Sequence, residues 1–99
     1  LKVFVRTKFA EYSGLHEGAV LSLGDSDLHK FISAYLLDLL RRDLQRFYSF
    51  LYRVDLSEKM VREIFEKERT DFLIADVLAK LVITRIEEKY HTRTRYGSV

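Results

Sequence analysis

Two charges stand where helical spacing predicts apolar neighbours. Asp43 falls among Leu36, Leu39, Phe47 and Phe50, and Arg85 interrupts the arc that carries Ile74 and Leu78. An unmatched carboxylate in such surroundings costs on the order of several kcal/mol or titrates upward. Something has to answer it. Arg46, three residues on, is the local partner, and Arg85 is the distant one. The expectation is an interhelical Asp43–Arg85 ion pair that sets the register of two long helices. The functional variant of that pair would line a ligand pocket together with Tyr48 or Tyr52. Matched buried charges are more often structural than catalytic, which favours the pair over the pocket.

Other residues capable of chemistry lack their partners. Glu88 and His91 have the Glu-x-x-His spacing that carboxylate-bridged metal bundles use twice, from facing helices, but the sequence holds one copy. "DSDLHK" fails as a calcium loop, because Lys30 occupies the place of the turn glycine and Leu36 that of the bidentate glutamate. The chain has no cysteine, so disulfides and thiolate zinc sites are excluded. His16 and His29 have no nucleophile that spacing sets beside them, and Ser26 in "GDSD" is better used as a helix cap. No catalytic residue, metal site or cofactor is expected, and hence no enzyme.

Basic residues form the second constellation. Arg42, Arg46 and Arg53 share one stripe of a helix, and the terminal "KYHTRTRYGSV" adds Lys89, Arg93 and Arg95 beside Tyr90 and Tyr96. Cations interleaved with aromatics can grip phosphates and stack on bases. Against that, 17 basic residues face 15 acidic ones for a net charge of +2, and Asp38 stands four residues before Arg42. A helix-turn-helix reading fares worse, because the candidate recognition helices open with "TDFLIAD" and "SEKMVREIFE", neither of them basic. Nucleic-acid binding is therefore the runner-up.

These side chains must be positioned by something. A 99-residue chain that is 47% hydrophobic, with seven Phe and six Tyr, is expected to fold as one domain over residues 1–99. Residues 1–24 hold three of the four glycines and alternate apolar and polar through Leu1, Val3, Val5, Thr7 and Phe9, which predicts a small β-hairpin or an extended arm. Helical periodicity starts at Asp25, with Asp25 and Ser26 as candidate caps, and runs as one long helix to Val54. Asp55 or Ser57 caps a short helix, Thr70 or Asp71 caps a long one that runs to about residue 91, and 92–99 read as a flexible basic tail.

The predicted fold is thus mainly α, a three-helix bundle-like core (long, short, long) over 25–91 behind an N-terminal hairpin or arm. No apolar run approaches the ~18 residues that span a bilayer, so the expected setting is soluble and cytoplasmic with no membrane partner. The apolar faces of the two long helices are wider than a hairpin can cover. The sequence reading is accordingly a non-enzymatic protein-interaction or scaffold module, with a homodimer or another protein as partner.

Overall fold

The computed structural model describes residues 2–97, with side chains as far as Thr92. Among the described residues six helices follow one another: α1 Lys2–Ser13, α2 Glu17–Leu21, α3 Asp25–Arg42, α4 Leu44–Val54, α5 Glu58–Lys67 and α6 Asp71–Gly97. Among the described residues there is no strand, so the expected β-hairpin is replaced by α1 and α2.

The reason lies in residues that satisfy both periods. Val5, Arg6, Phe9, Ala10 and Ser13 are buried, and their spacing of four is one helix face. Val3, which strand alternation would have put beside Val5 and Phe9, is 64% exposed. A helix satisfies its own backbone groups, whereas an isolated hairpin is marginal in water. Gly14 ends α1 with φ 75° and donates its N–H to the Ala10 carbonyl at 2.9 Å, the left-handed terminus that glycine adopts without a Cβ penalty.

Phe9 is the anchor of α1. It is fully buried and meets Phe31, Tyr35 and Phe50 edge-on, at centroid distances of 6.0, 5.5 and 5.7 Å. Arg6 is 8% exposed, yet it is matched: its Nε donates to the Leu23 carbonyl at 3.0 Å and its guanidinium to Asp25 at 2.5 Å. Lys2 takes the other Asp25 oxygen at 2.6 Å. Asp25 therefore ties α1 to the start of α3, while Gly24 occupies the cap position that the sequence offered to Asp25 or Ser26. Those two cations hold the Asp25 carboxyl below the usual aspartate range, Lys2 contributing most.

The centre of the molecule is the packing of α3 on α6. Ile32, Leu36 and Leu39 face Ile74, Leu78, Val82 and Ile86 in one continuous core, and buried Ser33, Ala75 and Ala79 leave room for close backbones. His29 of α3 sets its Nε2 3.2 Å from the Asp76 carbonyl and 3.3 Å from the Asp76 carboxylate on α6. At 27 residues α6 is about 40 Å long by helix rise. That sets the long axis of a body measuring 43 × 29 × 23 Å.

The expected long helix over 25–54 is two helices broken at Asp43. The backbone there is at φ −151°, ψ 82°, and the carboxylate accepts the Arg46 N–H at 3.1 Å. Continued as a helix, the chain would have carried that carboxylate into the apolar face. Breaking it costs the three ladder bonds of the Leu44, Gln45 and Arg46 N–H groups, of which the cap restores one, and it leaves Asp43 exposed to water. The bundle of three helices is accordingly a core built from α1, α3, α4 and α6, with α5 docked on α6. Beyond residue 91, α6 continues through Gly97, so the backbone of the expected tail is helical as far as the description reaches.

Candidate functional site

The residues singled out by sequence do not all meet. Arg85 pairs with Asp55, not with Asp43: its guanidinium donates to the Asp55 carboxylate at 2.9 Å and to the Asp55 carbonyl at 3.1 Å, and it reaches Glu88 at 3.4 Å. Asp43 is spent on the α4 cap. Asp55 ends α4 in a left-handed conformation, φ 69°. The Leu56 N–H bonds back to the Leu51 carbonyl at 3.2 Å and the Asp55 N–H to Tyr52 at 3.0 Å, the two reciprocal bonds of a Schellman terminus. One turn further along α6, the Lys89 ammonium reaches the Arg53 carbonyl at 3.4 Å and the Tyr12 hydroxyl at 3.3 Å. Arg85 and Lys89 thus clamp the C-terminus of α4 from α6, where a cation meets the negative end of the helix.

That clamp fixes the direction in which the chain leaves α4, and so where α5 lies. Ser57 caps α5 by accepting the Met60 N–H at 3.4 Å, and Val61 and Ile64 turn inward. Between α4 and α5 runs a groove of about 580 Å³ lined by Tyr48, Leu51, Tyr52, Leu56, Val61 and Phe65, with Glu58 and Arg62 at its rim. Tyr48 and Phe65 stack across it with centroids 6.4 Å apart and planes at 27°.

The outer lip of the groove is an exposed apolar stripe. Leu44, Tyr48 and Tyr52, at i, i+4 and i+8 on α4, are 53%, 50% and 83% exposed. Wheel counting over an unbroken helix had turned Leu44 and Tyr48 inward. The break at Asp43 frees α4 to follow a different axis, and the stripe faces solvent instead. Among the described residues neither Glu58 nor Arg62 is ion-paired. The face thus leaves aromatic area and two rim charges open to solvent.

The basic candidates divide. Arg42 is bound to Asp38 at 3.0 Å. Arg53 donates to the Tyr12 carbonyl at 3.0 Å, and with Lys89, whose ammonium stands 4.8 Å over the Tyr12 ring, it gathers at the end of α1. Burial pushes the Tyr35 phenol above its ordinary value, a rise that Arg46 and Arg53 only partly oppose. No carboxylate lies within ion-pair distance of Arg46, Arg53 or Lys89 among the described residues. The side chains of Arg93 and Arg95 lie outside the described part. His91 packs edge-on against Tyr90 at 5.7 Å, and Glu88 is engaged by Arg85.

Fold and face together define a small, mainly helical domain with an open aromatic groove. Comparison with protein-family models, with curated proteins and with solved structures returns no match, so its function is read from its own geometry. No helix among the described residues is long and apolar enough to cross a membrane.

Proposed function

We propose that the chain is a non-enzymatic protein-interaction module whose docking surface is the face formed by α4 and α5. One observation carries this: three large apolar side chains stand exposed in a single stripe beside a groove that is itself lined by aromatic and aliphatic residues. Fully burying a Leu or an aromatic side chain is worth about 1.5–3 kcal/mol, so leaving Leu44, Tyr48 and Tyr52 in water forgoes stabilisation that a partner would recover. Contiguous apolar patches of this kind mark interaction sites, and tyrosine is enriched among the residues that dominate binding energy. The groove runs between two helices and has charges only at its rim, which suits an amphipathic α-helix laid in with its apolar side down.

Titrating a synthetic amphipathic helix, with leucine and tyrosine at i, i+4 and i+8, into isotope-labelled protein tests the assignment. Amide shifts confined to residues 48–65 are the expected result. Shifts scattered over the surface, or none, would remove the groove from consideration.

A second reading rests on a different observation, the gathering of Arg53 and Lys89 at Tyr12 without a carboxylate partner, with Arg46 two helical turns before Arg53 on α4. It makes this end of the molecule a contact for a nucleic-acid backbone. Binding of mixed-sequence single-stranded oligonucleotides that weakens with salt and with R46A/R53A would support it.

A further inference from the structure

We propose that α5 is a latched strap, a unit that swings about the junctions at 55–57 and 68–70 and is held down by Phe65 against α4, so that it sets the width of the α4–α5 groove. Its bearing on binding rests on the docking reading above. The motion itself belongs to the free protein and is tested there.

The longer helices are tied together by polar bonds as well as by packing. Arg6 of α1 holds Asp25 of α3, Arg53 of α4 holds the Tyr12 carbonyl of α1, and His29 of α3 meets Asp76 of α6. α5 has no such tie: among the described residues, none of its side chains or backbone groups bonds to another helix. Of its ten residues only Val61 and Ile64 are buried, and Met60 is 43% exposed. An element with so little buried apolar area and no polar cross-link opens at a low free energy, ahead of the rest of the fold.

Space lies on both flanks of α5. Toward α4 is the groove of about 580 Å³, and toward α6 is a second hollow of about 380 Å³, lined by Leu56, Ser57, Met60, Leu81, Thr84 and Arg85. Close packing on every side locks an element in place. α5 is packed along one edge only, with room to rock on either side of it.

Both ends are pinned and non-helical, as hinges are. Before α5, Asp55 is left-handed and held by the Arg85 guanidinium, and Ser57 is extended at φ −61°, ψ 129°. After it, Glu68 is extended at φ −88°, ψ 138°, and Thr70 caps α6 by accepting the Leu73 N–H at 3.2 Å. Motion is thereby confined to the segment between. The latch is aromatic and lies toward the far end of the strap: Phe65 meets Phe47 edge-on at 6.1 Å and stacks on Tyr48 at 6.4 Å. Its release uncovers an edge of Phe47, which is fully buried in the docked position, and widens the groove above Leu51.

Native-state hydrogen exchange of the full chain, read amide by amide at low urea, tests the strap. Relative to their intrinsic rates, the amides of 61–68 are expected to exchange at least about a hundredfold faster than those of Leu36 and Val82, with at most about half the dependence on urea, because a local opening exposes less surface. Ile32→Val, in the α3–α6 core, destabilises docked and open strap alike against the unfolded chain. It should speed exchange of the core amides about three- to tenfold and leave those of α5 unchanged. Phe65→Ala removes the latch from the docked form alone and should speed exchange of the α5 amides about tenfold or more.

Amides of α5 that share the rates and urea dependence of the core, or that follow the core in Ile32→Val, overturn the strap. Unchanged exchange of α5 in Phe65→Ala overturns the latch. Independent opening without uptake of the synthetic helix at residues 48–65 would leave the strap and remove the docking face, and uptake without independent opening would do the reverse.

Discussion

The clamp on the end of α4 makes a quantitative prediction, because three features of Asp55 separate on substitution. Its backbone is left-handed at φ 69°, its carbonyl accepts from Arg85 Nε at 3.1 Å, and its carboxylate accepts from the Arg85 guanidinium at 2.9 Å. The ion pair is substantially exposed, with the Asp55 side chain 71% accessible. It is therefore worth about 0.2–1 kcal/mol once solvent screening is counted. A left-handed backbone costs an alanine about 1 kcal/mol, asparagine and aspartate less, and glycine almost nothing.

Asp55→Asn loses the charge and keeps the backbone, so a loss of about 0.5 kcal/mol is expected. In Asp55→Gly the lost pair and the relieved backbone roughly offset each other. Asp55→Ala loses on both counts, about 1.5–2 kcal/mol, or roughly 8–12 °C in melting temperature for a domain of this size. Urea denaturation gives the order Gly above Asn above Ala. A double-mutant cycle of Asp55→Asn with Arg85→Met should show coupling of about 0.5 kcal/mol or more, while the cycle of Arg85 with Asp43 adds within about 0.3–0.5 kcal/mol. An alanine variant as stable as the asparagine one would refute the backbone argument. Coupling of Arg85 to Asp43 in place of Asp55 would refute the clamp.

Two further predictions concern Asp43 and Asp25. Asp43→Ala removes a helix cap and costs about 1 kcal/mol, with Asp43→Ser recovering most of it; a loss of 3–5 kcal/mol on thermal or urea denaturation would indicate a broken buried ion pair instead. The folded-state carboxyl of Asp25 is held below its usual range by Lys2 and Arg6. Its contribution is therefore complete above the unfolded value near ~3.9 and lost as pH falls through the lower folded value. Asp25→Asn should flatten the acid limb of a stability–pH curve below about pH 4 while leaving its shape near neutrality unchanged, and an unaltered acid limb would show that the pairing contributes nothing.

Which parts of this were legible in the sequence follows from how far each signal acts. The caps of α5 and α6 were readable because Ser57 and Thr70 bond to N–H groups three residues on. The helical character of 25–91 was equally local. The first 13 residues were not, since Val5 and Phe9 fit a strand and a helix alike. Only Phe31, Tyr35 and Phe50, all more than 20 positions away, decide in favour of the helix.

Asp43 was recognised as anomalous, but a wheel presupposes an unbroken axis, and the cheapest escape for that carboxylate was to end the helix and cap the next one. The same presupposition hid the groove. Leu44 and Tyr48 read as core on one axis and as surface on two, and the hollow opposite them exists only once α5 has been aimed by the Arg85–Asp55 clamp.

The basic residues show how strongly helix ends compete for cations. The last carbonyls of a helix lack internal partners and carry its partial negative charge. Arg53 serves the end of α1, and Arg85 and Lys89 serve the end of α4, while Arg42 is held by Asp38. Of the described cations that spacing suggested for phosphate contact, only Arg46 is uncommitted, while Arg53, two turns further along α4, and Lys89 keep donors that their carbonyl partners do not use. A nucleic-acid backbone bound there can displace few counterions. With two or three phosphates neutralised, the logarithm of the binding constant should fall with the logarithm of salt at a slope of about −1.4 to −2.1 for a single strand. Lys89→Gln should reduce stability as well as binding, because it also opens the α4 terminus; Arg46→Gln should reduce binding alone. A slope steeper than about −3, or an Arg46→Gln variant that binds undiminished, would move the contact away from this cluster.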